Sequence, residues 1–228
     1  TELKRCGFAQ PGVLPICVDP DNWNIRADPT LMAELQDGRI NLLFVGRFVP
    51  NKRQEDLVEA FAEYLSLDAT ARLILVGPME IGAPYYERVR ALVHRWGLGQ
   101  QVRITGLVDD SQLLAYYRTA HVFWSMSEHE GFCVPIVEAM WNDVPVLAYK
   151  SSAVPETMAE AGVIFCTKQD VLQLAGLAKV LAEDETVRRK ILAAQRNRRR
   201  AFLPEAVQPQ LEALVEKMEA AGQRGQRR

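Results

Sequence analysis

The 228-residue sequence is poor in the features that mark membrane, secreted or nucleic-acid-binding proteins. No apolar run approaches the ~20 residues that a membrane-spanning helix needs, and no N-terminal signal pattern is visible. Neither sign of charge dominates: 27 Lys and Arg stand against 29 Asp and Glu, a net charge of −2, which argues against a general nucleic-acid binder. The four cysteines, Cys6, Cys17, Cys133 and Cys166, form neither CxxC pairs nor zinc-ligand spacing. They read as reduced thiols in a cytoplasmic protein with no metal site. The phosphate-binding pattern GxxxxGK followed by Ser or Thr is missing, and no Ser/His/Asp or Cys/His arrangement is apparent. What is present is 48% hydrophobic and 25% charged residues, enough for a full-sized core and too apolar for a disordered chain.

Charge is uneven along the chain. Residues 1–182 carry 16 Lys and Arg against 22 Asp and Glu, whereas residues 183–228 carry 11 against 7. The first residue is Thr rather than Met, which suggests a piece of a longer protein.

Residues 1–30 contain Pro11, Pro15, Pro20 and Pro29 and no long periodic segment, the composition of an extended linker or edge element. From residue 40 the pattern becomes regular. Short apolar runs at Ile40–Val45, Leu73–Val76, Val102–Thr105, Val122–Ser125, Val144–Ala148 and Val163–Phe165 alternate with stretches of helical period. Leu57, Phe61 and Leu65 form the first such stripe, and others follow near 84–96, 111–119, 135–141 and 170–182. Strands apolar on nearly every residue, separated by helices, predict a doubly wound, Rossmann-like α/β domain with a parallel sheet of about six strands over residues 31–182. Residues 183–228 read as a helical C-terminal extension with a basic tail, its last helix starting at Pro204.

Ligands of such sheets bind beyond the carboxyl ends of the strands, near the point where strand order reverses. Two strand ends combine small residues with charge. After the first strand, Gly46 allows close approach to the backbone, and Arg47 and Lys52 stand where a helix begins, a combination suited to a diphosphate. After the fourth, the string Ser127 to Met140 runs through an acidic loop into a helix with Pro135 in its first turn. Glu130 lies in the loop, Glu138 eight positions later on the helix, and the backbone N–H groups of Phe132, Cys133 and Val134 would face a phosphate at the helix start. A carboxylate such as Glu138 can accept hydrogen bonds from ribose hydroxyls.

Together these segments resemble the C-terminal, nucleotide-sugar-binding domain of GT-B glycosyltransferases of family 4, the retaining "group 1" enzymes. The resemblance covers roughly residues 13–182. Its specific part is Glu130-x7-Glu138 inside the string Glu130-Gly131-Phe132, Pro135 and Glu138-Ala139-Met140. It implies that Gly46, Arg47 and Lys52 meet the donor diphosphate, that Glu138 holds the ribose, and that Glu130 contacts the transferred sugar. It places Gly131, Phe132, Cys133 and Val134 against phosphate or sugar. The loop of Val108, Asp109 and Asp110 resembles the base-facing loop, and Asp110 could accept hydrogen bonds from guanine; alternatively Asp109 or Asp110 only caps the next helix.

The sequence departs from the family pattern at four places: Cys133 and Asp143 stand where glycine is usual, Met126 where proline is common, and Cys17 where the linker has glycine. Asp19 and Asp21 match a metal-binding Asp-x-Asp, but in a proline-rich segment this is turn chemistry. His94 and His121 read as structural, while His129 stands beside Glu130. The run Arg188 to Arg200 holds seven Lys and Arg and no acid, which suits either a solvated helix face or peripheral contact with anionic lipid. The resemblance therefore implies a retaining, metal-independent hexosyltransferase using a UDP- or GDP-sugar and a saccharide or lipid-linked acceptor, with no cofactor and no nucleic-acid partner. The N-terminal acceptor-binding domain is expected to be missing from this chain. An epimerase or phosphorylase of the same architecture, or a non-catalytic nucleotide-binding module, would share most of these residues.

Overall fold

The computed structural model describes residues 6–7 and 14–225, with the side chains of Asn22 and of residues 219–225 not described. The described chain forms two compact units. Asp21–Arg199 make the larger, and the residues before Asp21 with those from Arg200 onward make the smaller.

The larger unit is built on a six-stranded sheet: β1 (Asn41–Val45), β2 (Arg72–Val76), β3 (Val102–Gly106), β4 (Val122–Ser125), β5 (Val146–Tyr149) and β6 (Val163–Phe165). Strand order is β3-β2-β1-β4-β5-β6 and every neighbouring pair is parallel. The helix α1 (Pro29–Leu35) precedes the strands, α2 (Gln54–Tyr64), α3 (Pro84–Arg95), α4 (Asp110–Thr119), α5 (Val134–Trp141) and α6 (Val154–Met158) connect them, and α7 (Val171–Glu183) and α8 (Glu185–Arg198) follow. Alternation along the strands feeds both faces: Leu42, Phe44, Leu73 and Leu75 pack against α2, α3 and α7, while Leu43, Ile74 and Val76 pack against α1, α4, α5 and α6. Each large side chain fully buried this way, such as Phe61 or Leu57, contributes about 2 kcal/mol.

The doubly wound reading of the sequence describes this sheet. The strand order reverses between β1 and β4, so the two charged loops singled out above, after β1 and after β4, are neighbours across the switch point.

Two boundaries differ from the sequence reading of a linker over 1–30 and an extension from 183. Residues 21–30 are part of the larger unit: Ala27 is buried, the Trp23 ring packs edge-on against Tyr117 at 6.3 Å, and Asp28 caps α1 by accepting from the Thr30 and Leu31 N–H groups. Proline content concealed this, because Pro29 starts a helix rather than breaking one. At the other end α8 also belongs to the larger unit. Arg196 makes a paired contact with Asp143 (3.0 and 2.8 Å), Arg198 donates to the Glu156 and Thr157 carbonyls, and Arg199 to those of Met140 and Trp141. Arg188 donates to the His121 carbonyl. Four of the seven basic residues, Arg188, Arg196, Arg198 and Arg199, are thus engaged by the domain's own carbonyls and Asp143, while Arg189, Lys190 and Arg200 are exposed, so the run is a solvated face only in part.

In the smaller unit the Val18 N–H donates to the Phe202 carbonyl (2.8 Å), and α9 (Pro204–Gly225) follows. Among the described residues, no helix is long and apolar enough to cross a membrane, and no group of three or more His, Cys, Asp or Glu could hold a metal ion.

Candidate functional site

Three glycines end β1, β2 and β3 side by side. A Cβ on Gly77, whose φ is +144°, would lie 2.2 Å from the Gly46 carbonyl oxygen, so the loop after β1 can pass only if residue 77 is glycine. Gly77 is therefore a packing requirement as well as a turn residue. The Gly46 N–H donates to Val76 and the Gly77 N–H to Gly106, continuing the ladder past the strands.

The loop after β1 passes through a short 3-10 turn, Pro50–Lys52. Buried Gln54 donates to the Arg47 carbonyl (2.8 Å), and its own N–H donates to the Tyr85 hydroxyl (2.8 Å). This pins the Arg47 backbone while its side chain stays exposed, and no carboxylate pairs with that guanidinium among the described residues. Lys52 behaves differently. Its Nζ reaches both oxygens of buried Glu130 at 2.7 Å. An ammonium has three N–H donors, so this bidentate contact leaves one for another acceptor.

The loop after β4 is tied to the loop after β1 by backbone as well. Glu128 N–H donates to the Asn51 carbonyl (2.8 Å), and Asn51 Nδ2 to that of His129 (3.2 Å). His129 Nδ1 lies 3.1 Å from Ser152 Oγ. Gly131 is exposed, and a Cβ there would meet nothing within 4 Å. The Phe132 carbonyl accepts from Thr157 Oγ1 (2.6 Å). Cys133 is the residue preceding α5, with φ +66° and ψ +63°, and Val134, partly exposed, begins the helix. At the start of α5, Pro135 has no N–H and the Ile136 N–H donates to the Cys133 carbonyl (3.0 Å), which leaves that of Val134 as the helix's first donor without an intrahelical partner. The buried Cys133 thiol is pushed up well above its ordinary range, by burial first and by the Glu130 carboxylate second. It is thus no thiolate nucleophile.

Glu138 lies one side further along α5, where its carboxylate accepts from the Tyr117 hydroxyl at 2.7 Å. Burial pushes this carboxyl above its ordinary 4.5; the Tyr117 hydrogen bond opposes that, and nearby Asp110 adds to it. A cavity of about 400 Å³ opens here, lined by Asp21, Trp23, Ile25, Asp110, Leu113 and Glu138. Asp109 and Asp110 have separate roles. Asp109 is the cap of α4, accepting from the Gln112 N–H at 2.9 Å in a reciprocal capping box, whereas Asp110 faces the cavity. Val108 precedes them, partly buried, behind a highly exposed Leu107.

The expected residues are thus gathered along one edge of the sheet in two groups: Arg47, Lys52, Glu130 and the start of α5, then Asp110 and Glu138. Sequence reasoning missed Tyr117, Trp23 and Asn51. Tyr117 lies within the apolar face of α4 and Trp23 in a proline-rich stretch, so neither carries a local signal; Asn51 shows itself only through its bonds across the switch point.

The two departures from glycine at 133 and 143 become intelligible here. Both residues adopt positive φ, +66° and +53°, conformations that glycine reaches without strain. Asp143 compensates through Arg196 and Arg199.

The sequence is 34% identical over 157 residues to a GDP-mannose-dependent alpha-(1-6)-phosphatidylinositol monomannoside mannosyltransferase of Mycobacterium tuberculosis, covering 64% of this chain and 39% of the relative. Among solved structures, the sucrose-phosphate synthase from Thermosynechococcus elongatus superposes with a TM-score of 0.79 at 27% identity, over 96% of this chain and 56% of that one. The C-terminal domain of a glycosyl transferase group 1 family protein from Francisella tularensis shares the fold at a TM-score of 0.65 and 22% identity, over 79% of this chain and 95% of that domain. The chain spans less than half the length of the curated relatives it matches. Residues 33–198 fit the model of the family described as glycosyl transferases group 1, and the chain belongs to that family.

Proposed function

We propose that this chain is the donor-binding half of a retaining glycosyltransferase that moves a hexose from a nucleoside-diphosphate sugar to a saccharide or lipid-linked acceptor, with the acceptor-binding domain lying outside the chain. The observation that carries the reading is the pairing of Lys52 with Glu130 beside an unpaired Arg47, at the open start of α5. In this reading Arg47 and the remaining N–H of Lys52 meet the diphosphate, with Gly46 and the backbone of Gly131, Phe132, Cys133 and Val134 admitting its oxygens closely. They stabilise charge as it develops on the leaving nucleoside diphosphate, which is where such cations accelerate transfer. Glu130, held by Lys52, faces the reacting sugar. Glu138, oriented by Tyr117, takes the ribose, and Asp110 with Val108 takes the base.

The mannosyltransferase relative is GDP-mannose-dependent by name. Asp110 in the cavity suits guanine, whose N1–H and N2–H donors pair with a carboxylate and which uracil does not reproduce. GDP-mannose is therefore the first donor to try. With two cations available for the diphosphate, the reading needs neither a metal ion nor a cofactor. Calorimetric titration of this chain with GDP, UDP and ADP tests it. One nucleotide should bind in the roughly micromolar to millimolar range, and Arg47→Ala with Lys52→Ala should weaken it by about tenfold or more. Binding of all three alike, insensitive to the double substitution, overturns it. In the longer parent protein, Glu130→Gln should abolish transfer and spare nucleotide binding; unchanged transfer would favour a nucleotide-binding module.

A further inference from the structure

The opposite edge of the sheet carries a second concentration of charge. Where β1 and β4 begin, a cavity of about 360 Å³ is lined by Arg39, Arg118, His121 and Arg188, together with Leu35, Gln36, Gly38, Thr119 and Ala120. Strands of four to five residues at ~3.3 Å per residue put this edge some 15 Å from the switch-point loops. The lining holds three guanidinium groups and no carboxylate.

What surrounds them offsets their charge only in part. Arg188 is partly buried and gives one N–H to the His121 carbonyl at 2.8 Å. That neutral partner does not cancel its charge, and burial holds its guanidinium below the ordinary value. Among the described residues, Arg118 has one hydrogen bond, a long one to the Trp23 carbonyl at 3.4 Å. Arg39 has a loose 3.5 Å contact with Asp37, whose carboxylate is taken by Arg72 at 2.5 Å. Asp143 acts on Arg188 only through space, as the weaker influence after burial, and its carboxylate is in contact with Arg196 and Arg199. His121 Nδ1 accepts from the Asn41 N–H at 3.0 Å, which leaves Nε2 carrying the proton and able to donate.

Three cations and a histidine donor around a concave space whose lining holds no carboxylate form a receptor for a compact polyvalent anion. Guanidinium groups bind phosphate oxygens in pairs and lose little hydration in doing so. A partly buried arginine without a carboxylate partner is costly, and an anion would offset that cost.

We infer that the amino edge of the sheet is a binding site for a soluble phosphate group, inorganic phosphate or a phosphomonoester, held by Arg39, Arg118 and Arg188. It is separate from the switch-point site and does not depend on the function proposed for it.

Inorganic phosphate, titrated into the 228-residue chain at constant ionic strength with chloride as the reference anion, is the probe. Amide and imidazole signals of Ala120 and His121 report on it by NMR. The expected result is saturable shifts at both residues, weakened about tenfold per arginine removed in Arg39→Gln and Arg118→Gln. Both are exposed side chains whose loss leaves the fold intact, unlike Arg188. The shifts should persist in Arg47→Gln, since the switch-point loops offer phosphate another place to bind. Shifts lost in Arg47→Gln but kept in the Arg39 and Arg118 variants would overturn the inference, as would no saturable shift with phosphate. Co-sedimentation with phosphatidylglycerol vesicles without any response to free phosphate would do the same, assigning the arginines to a surface instead.

Discussion

Lys52 and Glu130 lie 78 residues apart in the chain and meet at 2.7 Å through both carboxylate oxygens, closing the loop after β1 onto the loop after β4. Both are largely buried, so the pair is asymmetric in what its removal costs: removing one partner strands the other's charge away from water. Lys52→Met should destabilise the chain by about 3 kcal/mol or more in urea denaturation, and Lys52→Met with Glu130→Gln should recover much of that. Equal destabilisation by the single and double variants would mean that the pair contributes through packing and not through charge.

The cluster at the ends of β1 and β2 makes a sharper steric prediction. A methyl group at residue 77 would overlap the Gly46 carbonyl and demand a φ that alanine disfavours. Gly77→Ala should therefore cost about 3 kcal/mol or more or prevent folding. Gly131 is the control, because a methyl group there meets nothing. Gly131→Ala should keep stability within about 0.5 kcal/mol while weakening nucleotide binding, if a ligand approaches that backbone as proposed. A well-folded Gly77→Ala protein would show that the loop can move aside.

How much of this could be read in the sequence divides along a physical line. Strands and helices with strong period, such as β4 or the Leu57–Phe61 stripe, follow from local pattern, and the reversal of strand order brings the two charged loops together as doubly wound sheets require. The partners did not follow. Nothing near Glu138 in sequence announces Tyr117, and nothing near Arg196 announces Asp143, since each bond spans tens of residues and depends on how helices pack. Trp23 was concealed differently: a proline-rich segment reads as linker, although Asp28 and Pro29 together nucleate α1.

Cys133 offers a test of backbone strain that separates it from side-chain loss. Both Cys133→Ala and Cys133→Gly remove the buried thiol, but only glycine relaxes the left-handed conformation before α5. The glycine variant should be the more stable by about 1 kcal/mol in parallel denaturation curves. The reverse order would show that side-chain volume dominates at this position.

Tyr117 should tune Glu138. Its hydroxyl hydrogen bond pulls the carboxyl down against the upward push of burial. Tyr117→Phe should therefore raise the Glu138 pKa further above 4.5, followed by carbon NMR of the carboxyl group. It should also cost about 1–2 kcal/mol near neutrality, where the ionised carboxylate loses its donor. Because the folded value lies above 4.5, protonation of Glu138 favours the folded state: this term is complete below 4.5 and is lost as pH rises through the folded value, and Tyr117→Phe, by raising that value further, enlarges the loss. A drop in the Glu138 pKa on removing the hydroxyl would contradict the hydrogen-bond direction.

His121 governs stability at mildly acid pH through the opposite sign. Burial first, and the Arg188 charge second, hold its pKa below the ordinary 6.5, and Nδ1 is already committed as acceptor to the Asn41 N–H. Below 6.5 the unfolded chain takes up a proton at this residue that the folded one resists, so the unfolded state binds more protons and stability falls as pH falls. The loss begins near the unfolded value and continues down to the folded one, with a slope of at most about 1.4 kcal/mol per pH unit for one group. Asp37 and Asp109, held below 3.8 in the folded chain, act in the same direction only at more acid pH. Urea denaturation at pH 7 and about pH 5.5 should therefore show a decline in the wild-type chain. His121→Gln, which keeps a hydrogen-bonding group without a titrating one, should flatten it. An unchanged decline in that variant would move the acid sensitivity to another group and remove the argument for a neutral imidazole at the head of β4.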